Sequence, residues 1–286
     1  MRRKPRIAIV GAGSLGSALA VSLRRAGFIV DAVIAQQRES SIRKARRLAS
    51  QIGARAISGA GELKASLVWF CVPDSEIARA ARAMAPRFRW NGVVALHSSG
   101  ALTSDELERL RRHGAAVASV HPLMTFVPGS RPALDGVPFA IEGDRTAVQT
   151  ARRIVRELGG LPVAIGKEDK AAYHAWGTFA SPLLTALLAT TERVAASAGV
   201  KRKDAVRRMI PILQQTLANY AERGAARSFS GPIIRGDVET VNRHLQVLKS
   251  IPAAREVYVS LARAGMKFLP VKHKSALQRL LDSALE

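Results

Sequence analysis

The sequence predicts an α/β fold in which a doubly wound, Rossmann-like parallel sheet is followed by an all-α C-terminal region. Short apolar runs of strand length alternate with amphipathic runs of helix length through the first 165 residues. A glycine-rich turn joins the first strand to the first helix, and strand signals end after Gly166. Such alternation is typical of a parallel sheet covered on both faces. We therefore expect a dinucleotide-binding domain at 1–165 and a helical substrate and dimerisation domain at 166–286.

The expected elements follow one another regularly along the chain. Ile7–Val10 is fully apolar, as a strand buried on both faces of a parallel sheet should be. A helix is expected from Ser14 to Ala26, because Gly27 is placed to end it. Further strands are expected at 29–34, 67–72, 93–96, 116–120, 139–142 and 161–165, and further helices at 40–50, 75–84, 103–112, 147–158, 170–198, 203–223, 237–250, 253–264 and 275–285.

Composition excludes several classes of protein. Cys71 is the only cysteine, which excludes a disulfide framework and favours a reducing, cytoplasmic location. The net charge of +22 is spread along the chain and would attract anions, but aromatic residues make up only 5%. We therefore expect a small-molecule substrate and no nucleic-acid partner. No stretch reaches the roughly 18 uninterrupted apolar residues of a membrane span, and no residues have the spacing of metal ligands.

The turn after the first strand carries the strongest motif, GAGSLG at 11–16. Gly11 allows a tight bend, Gly13 lets the backbone approach a pyrophosphate, and Gly16 permits close packing of helix on sheet. Together with Ser14 and Leu15, these residues open a helix whose free N–H groups and dipole favour an anion. We predict a nicotinamide dinucleotide here. The alternative is a glycine-rich turn that binds nothing.

The end of the second strand bears on the choice of cofactor. An acidic residue there would accept hydrogen bonds from the ribose of NAD. Asp31 lies in the middle of the strand, whereas the end reads Ala35, Gln36, Gln37, Arg38. Arg38 could pair with a 2′-phosphate, which is worth about 1.5–3 kcal/mol for a charge-assisted bond. We expect NADP, with Gln36 and Arg38 in contact with it; NAD stays possible, and Arg38 is alternatively a solvated cation.

Three polar loops follow predicted strands, where ligands of open sheets bind. Val72 and Pro73 are expected to border the cofactor, and Asp74 to cap the next helix. A second loop carries His97, expected beside the cofactor, and Ser98 and Ser99, candidate catalytic residues whose hydroxyls could hold a substrate oxygen. The third carries His121, a candidate proton donor. The alternative for His97 is a hydrogen-bonded histidine of a polar turn, and the alternative for His121 is a hydrogen bond across the sheet edge.

The helical region adds four candidates. Lys170, Tyr173 and His174 lie at i, i+3 and i+4 and so share one helix face. Lys170 is a second candidate proton donor, His174 a catalytic residue and Tyr173 a substrate contact; alternatively the lysine is solvated beside a packing tyrosine. Arg235, between apolar residues and glycine, is a candidate for holding an anionic group of the substrate. Asp237 is expected to cap a helix.

Together these motifs resemble a bacterial family with a Rossmann-like N-terminal domain and a helical domain of unknown function, family 2520. The resemblance rests on GAGSLG (11–16), FCVPDSEI (70–77), HSSGAL (97–102), SVHPLMTF (119–126), DKAAYHA (169–175), GPIIRGD (231–237) and HLQVL (244–248). It implies kinship with ketopantoate reductases, pyrroline-5-carboxylate reductases and the 6-phosphogluconate dehydrogenase superfamily. It also implies hydride transfer and a homodimer formed through the helical half. One departure is Ser181-Pro182, where the relatives lead us to expect an Asn; the proline should kink the helix.

These observations predict an NADP-dependent reductase of a small, anionic carbonyl or imine substrate. The alternative is a non-catalytic NADP-binding sensor or partner protein on the same fold. The Ser181-Pro182 departure supports the alternative, as does the lack of one unambiguous acid–base pair.

Overall fold

A computed structural model of the chain describes residues 4–58 and 63–284. It divides into two compact units, Met1–Phe179 and Ala180–Glu286. The first unit contains the sheet and the first helix after it, so the expected division at 165/166 lies within this unit. The precise limits of the functional domains stay a prediction.

The first unit is built on an eight-stranded sheet with the order β3-β2-β1-β4-β5-β6-β7-β8. The strands are β1 Arg6–Val10, β2 Ile29–Ile34, β3 Arg55–Ile57, β4 Leu67–Phe70, β5 Val94–His97, β6 Ala116–Pro122, β7 Pro138–Gly143 and β8 Leu161–Ala164. The chain reverses its direction of travel across the sheet after β3, which gives the doubly wound topology. The predicted fold class is therefore confirmed.

Two features of the sheet were not predicted. β7 runs antiparallel to β6, with Ala118 opposite Gly143 and Pro122 opposite Phe139. The connection between these two strands, 123–137, contains no helix, so it does not make the crossover that a parallel neighbour would need. The short strand β3 was also missed, because two of its three residues are exposed and it has no apolar run.

Helices cover both faces of the sheet. In the first unit they are α1 Ser14–Arg25, α2 Glu39–Ile52, α3 Asp74–Met84, α4 Glu108–Arg111, α5 Arg145–Glu157 and α6 Lys170–Thr178. Alternate strand residues point to opposite faces. Ile7 and Ile9 belong to the apolar core that includes α1, α2 and α5, whereas Ala8 and Val10 belong to the core that includes α3 and α4. The carboxyl ends of the parallel strands β1 to β6 are thereby held at one edge between two packed layers.

Helices joined by short turns and loops make up the second unit, and no strand occurs in its described residues. Its helices are α7 Leu184–Ser197, α8 Arg202–Ser228, α9 Pro232–Arg235, α10 Val238–Leu248, α11 Pro252–Phe268 and α12 Lys274–Asp282. Its core joins α10, α11 and α12 through Val241, Leu245, Val259 and Leu277. The predicted cap at Asp237 is confirmed, since its carboxylate accepts from the Thr240 N–H at 3.0 Å. Among residues 4–58 and 63–284, none of the helices combines the length and apolarity needed to cross a bilayer.

The helix expected at 170–198 is not continuous. A π-helical segment, Phe179–Leu183, separates α6 from α7 and contains Pro182. Proline has no N–H to donate, so the regular hydrogen-bond ladder is interrupted there. The distortion predicted from the proline is confirmed, and the single uninterrupted helix is wrong.

Candidate functional site

Two glycines of the 11–16 turn are required by the protein's own packing. Gly11 has a φ of 101°, and a Cβ there would lie 2.6 Å from the carbonyl oxygen of Cys71. A Cβ on Gly16 would overlap the carbonyl oxygen of Gly11. These positions therefore shape the turn between β1 and α1 whether or not a ligand binds.

Gly13 is different, because the fold does not require a glycine there. Its φ of −74° suits any residue, and, beyond its two neighbours in sequence, no atom in the described part of the chain lies within 4 Å of where its Cβ would be. Gly13 is the N-cap of α1, where no side chain caps the helix and no acidic residue lies in the first turn. The helix therefore presents free N–H groups beside open space, which is the arrangement that an anion fills.

A cavity of about 330 Å³ adjoins this turn. Of the residues predicted to bind the cofactor, six lie along its wall: Gly11, Gly13, Gln36, Arg38, Val72 and Pro73. Ser41 and Lys44 from α2 also line it. Ser14 lines a neighbouring cavity, whereas Leu15 packs against the apolar core. The Gln36 side chain donates to the Glu76 carboxylate at 2.9 Å.

Asp31 does not belong to this cavity. Its carboxylate accepts hydrogen bonds from Arg6 at 2.5 Å and from Arg55 at 2.6 Å, and only 8% of the residue is exposed. Burial raises the pKa of Asp31, but the two arginines outweigh burial and hold the pKa below its ordinary value. Asp31 therefore stabilises β2 against β1 and β3, which leaves the carboxylate unable to serve a ribose.

His97 is fully buried at the end of β5. The Ser99 N–H donates to its Nδ1 at 3.1 Å, so the proton must sit on Nε2, which lies 2.9 Å from the carbonyl oxygen of Thr103. Burial lowers the pKa of His97 to about 4. A neutral ring with both nitrogens occupied fixes the 97–103 turn. Its ring nitrogens are not free to contact a cofactor, which was the role expected from the sequence.

Lys170 enters the same turn from α6 and is only 1% exposed. Its Nζ donates to the Ser99 carbonyl oxygen at 3.1 Å and to the Ser119 Oγ at 2.8 Å. Burial lowers the pKa of Lys170, while the negative charges of Glu142 and Asp74 oppose this effect. Within the described part of the chain, no carboxylate lies at ion-pair distance from the ammonium group.

His121, at the end of β6, lies next to this cluster. Its Nδ1 donates to the Ser98 carbonyl oxygen at 3.1 Å, so Nε2 carries a lone pair when the ring is neutral. Burial lowers the pKa of His121, and the charges of His174 and Lys170 lower it further. The rings of His174 and Tyr173 meet His121 edge to face, with centroids 5.8 Å and 6.5 Å away.

The serines of the 97–100 loop have separate partners. Ser98 Oγ accepts from the Trp69 indole at 2.8 Å. Ser99 Oγ accepts from the Leu102 N–H at 2.9 Å and donates to the Asp74 carboxylate at 2.7 Å. The expected cap role of Asp74 is therefore wrong, because α3 has no side-chain cap and the carboxylate binds a hydroxyl of the neighbouring loop instead.

The structure thus brings seven predicted residues together in the first unit. They are His97, Ser98, Ser99, His121, Lys170, Tyr173 and His174. Arg235 belongs to the second unit, where it ends α9 and is exposed. Sequence reasoning missed two members. Ser119 accepts a hydrogen bond from Lys170. Gly100 leaves room for the two histidines, because a Cβ there would lie 2.9 Å from His121 Nε2 and overlap the ring of His174.

Two known families match different parts of the chain. Residues 2–122 match the family described as a Rossmann-like domain, and residues 137–265 match a domain of unknown function, DUF2520. The chain combines a Rossmann-like domain with a DUF2520 domain. The DUF2520 match supplies Lys170, Tyr173 and His174 to the site, and the Rossmann-like match supplies the 97–100 loop and His121. The resemblance predicted from the motifs is confirmed.

Solved structures of similar fold cover nearly the whole chain. A Bacteroides fragilis protein provisionally described as an NADP oxidoreductase has a TM-score of 0.78 and 23% identity, over 91% of this chain and 97% of its own. An imine reductase from a Pseudomonas species has a TM-score of 0.64 and 22% identity, over 99% and 100%. A pyrroline-5-carboxylate reductase from Coxiella burnetii has 0.58 and 14%, over 99% and 98%. No curated protein matches the sequence significantly. At these identities the likeness shows a shared fold.

Proposed function

We propose that this protein is an NADP-dependent oxidoreductase that reduces a small carbonyl or imine substrate. The observation that carries the proposal is Gly13, where the uncapped start of α1 meets open space that the fold itself does not need. The cavity beside it lies at the carboxyl edge of the sheet, as do His121 and the 97–100 loop. The fold of proteins described as NADP oxidoreductase and imine reductase supports the same reading.

The chain offers each part of NADP a fitting partner. The diphosphate would meet the N–H groups at the start of α1, and Gly13 would let it approach the backbone. Arg38, with Ser41 and Lys44, would hold the 2′-phosphate. NAD, which lacks that phosphate, would gain nothing from these groups. When bound, the reduced cofactor supplies a hydride.

His121 is the group we assign to the substrate. Its Nδ1–H is held by Ser98, so only Nε2 can meet a ligand. Its lowered pKa keeps the ring neutral at neutral pH, and a neutral Nε2 accepts a hydrogen bond. A protonated imine brings its own proton and suits such an acceptor. A carbonyl would need a proton that the neutral Nε2 does not carry, so its reduction would require the protonated form of His121 or the ammonium of Lys170.

Lys170 is the second candidate for the proton, and its geometry favours a positioning role. Both of its observed hydrogen bonds go to protein atoms, and the side chain is almost fully buried. Its charge holds the Ser99 carbonyl and Ser119 in place, next to the peptide group that orients His121. Ser98 and Ser99 then act through this loop, while Tyr173 and His174 bound the space beside His121.

We also propose that the protein is a homodimer formed through its second unit. That unit exposes large apolar side chains, including Ile212 at 67%, Leu217 at 61% and Val247 at 59%. It also contains an apolar cavity of about 490 Å³ between α7, α10 and α11. Light scattering at several concentrations tests this proposal. A monomer at every concentration would contradict it.

The activity is tested with NADPH and a panel of ketoacids, cyclic imines and uncharged carbonyls, followed by NADPH absorbance. We expect turnover of at least one class, lost in His121→Asn and kept in His113→Asn, a control because His113 is exposed and bonds only within its own helical turn. The +22 charge favours an anionic member of the panel. NADPH binding without any turnover would favour the alternative, a non-catalytic NADP sensor.

A further inference from the structure

A second cavity, of about 640 Å³, opens beside the glycine turn. It is bounded by the start of α1, by α2 and by residues 128–131 of the β6–β7 connection. It shares Ala12, Gly13 and Lys44 with the 330 Å³ cavity. The two cavities therefore meet at Gly13, which has no side chain to separate them.

The wall of this second cavity is strongly basic. Lys44 and Arg47 come from α2, and Arg131 comes from the β6–β7 connection. Across residues 4–58 and 63–284, none of these three cations forms an ion pair, and no acidic side chain lines the cavity. Arg131 donates to the Gln51 side chain at 3.0 Å, which ties its guanidinium group to α2.

Three unpaired cations around one cavity repel each other and favour an anion with more than one negative charge. Guanidinium groups, serine hydroxyls and backbone N–H groups are the donors that match phosphate oxygens. The cavity offers all of them, since Ser14, Ser17 and Ser130 also line it. The oxygens on one side of a diphosphate bound over Gly13 would accept hydrogen bonds from the α1 N–H groups. The oxygens on its other side would face these cations.

We propose that this basic cavity holds the outer oxygens of the cofactor's diphosphate, and that Arg131 closes over them. The proposal rests on the proposed function and extends it. It makes residues 128–131 a cofactor-binding element, although they lie between the two regions that match known families, 2–122 and 137–265. It also separates two basic groups. Arg131 and Arg47 serve the diphosphate and Arg38 serves the 2′-phosphate, whereas Lys44 lines both cavities and distinguishes neither phosphate.

Two fragments of the cofactor distinguish these groups. ADP carries a diphosphate and no 2′-phosphate. Adenosine 2′-monophosphate carries a 2′-phosphate and no diphosphate. We expect Arg131→Gln to weaken ADP binding about tenfold, the effect of losing one charge-assisted bond, and to leave the 2′-monophosphate unchanged. Arg38→Gln should do the opposite. Arg46→Gln is the matched control for Arg47→Gln, because Arg46 is exposed on the same helix and lines neither cavity.

Titration calorimetry of the unmodified protein and each variant, with both fragments and with NADPH, decides the question. If Arg131→Gln weakens neither fragment, or weakens both equally, the assignment of Arg131 is wrong while NADPH binding by the unmodified protein leaves the proposed function intact. If the unmodified protein binds neither the fragments nor NADPH, the proposed function fails and this proposal fails with it.

Discussion

The Nζ of Lys170 donates a hydrogen bond to the carbonyl oxygen of Ser99 over 3.1 Å, across 71 positions of sequence. Lys170 lies in the DUF2520 match and Ser99 in the Rossmann-like match. This bond therefore ties the first helix after the sheet to the loop at the end of β5. It also places a buried positive charge close enough to His121 to lower its pKa.

Removing that charge should change the titration of His121. In Lys170→Met we expect the pKa of His121 to rise toward its ordinary value, because one of the causes that lower it is gone. Lys167→Met is the control, since Lys167 lies three residues away, is exposed and pairs with Asp105 at the surface. Histidine proton resonances followed by NMR, assigned with His121→Asn, measure the shift. An unchanged pKa of His121 would show that Lys170 does not act on it.

Gly100 should be sensitive to the smallest substitution. A Cβ there would lie 2.9 Å from His121 Nε2 and overlap the His174 ring. We expect Gly100→Ala to displace these rings and to reduce turnover at least tenfold, while the exposed His174 can move and keep the protein folded. Gly92→Ala would not be a fair control, because Gly92 has a positive φ. Gly13→Ala is the comparison variant. Its new Cβ enters open space, so it should impair cofactor binding without displacing the histidine rings. Full activity in Gly100→Ala would contradict the assignment of His121.

His97 should make the fold sensitive to acid. Its pKa is about 4 in the folded protein against an ordinary 6.5, so between these values only the unfolded chain binds the proton. Stability is therefore lost as the pH falls from about 6.5 toward 4, by about 2 kcal/mol between pH 7 and pH 5. Urea unfolding at both pH values measures this loss. His97→Asn should be less stable at pH 7 but lose less on acidification, whereas the exposed-site variant His113→Asn should behave like the unmodified protein.

Arg38 should determine the choice between the two cofactors. It is exposed at the start of α2 and lines the 330 Å³ cavity. We expect Arg38→Gln to weaken NADPH about tenfold and to leave NADH unchanged, because only NADPH carries the phosphate. Fluorescence titration with both cofactors measures this. Tighter binding of NADH than NADPH by the unmodified protein would contradict the NADP preference.

The sequence predicted the elements whose signal is local. Strand β2 has the predicted bounds, Ile29–Ile34, because a run that is apolar except for Asp31 lies between Gly27 and the polar residues Gln36 and Gln37. The antiparallel direction of β7 could not be predicted, because the pattern of apolar residues is the same for parallel and antiparallel pairing. Strand β3 was missed because three residues with two exposed give no pattern.

The site was predicted residue by residue but not as an arrangement. The Lys170–Ser119 bond spans 51 positions, and no spacing rule connects residues so far apart. Lysines are rarely buried, so its 1% exposure ran against the usual expectation. Asp74 has the sequence position expected of a helix cap, but its carboxylate accepts a hydrogen bond from Ser99, a residue distant in sequence.

The account depends most directly on the open space at Gly13. Thermal melting of the unmodified protein and of Gly13→Ala, each with and without NADPH, tests it. Because, apart from the adjoining residues 12 and 14, no atom of residues 4–58 and 63–284 lies within 4 Å of the new Cβ, the two proteins should melt at similar temperatures without ligand. NADPH should raise the melting temperature of the unmodified protein and raise that of Gly13→Ala much less. Equal protection of both proteins, or protection of neither at millimolar NADPH, would contradict the claim that a dinucleotide binds at this turn.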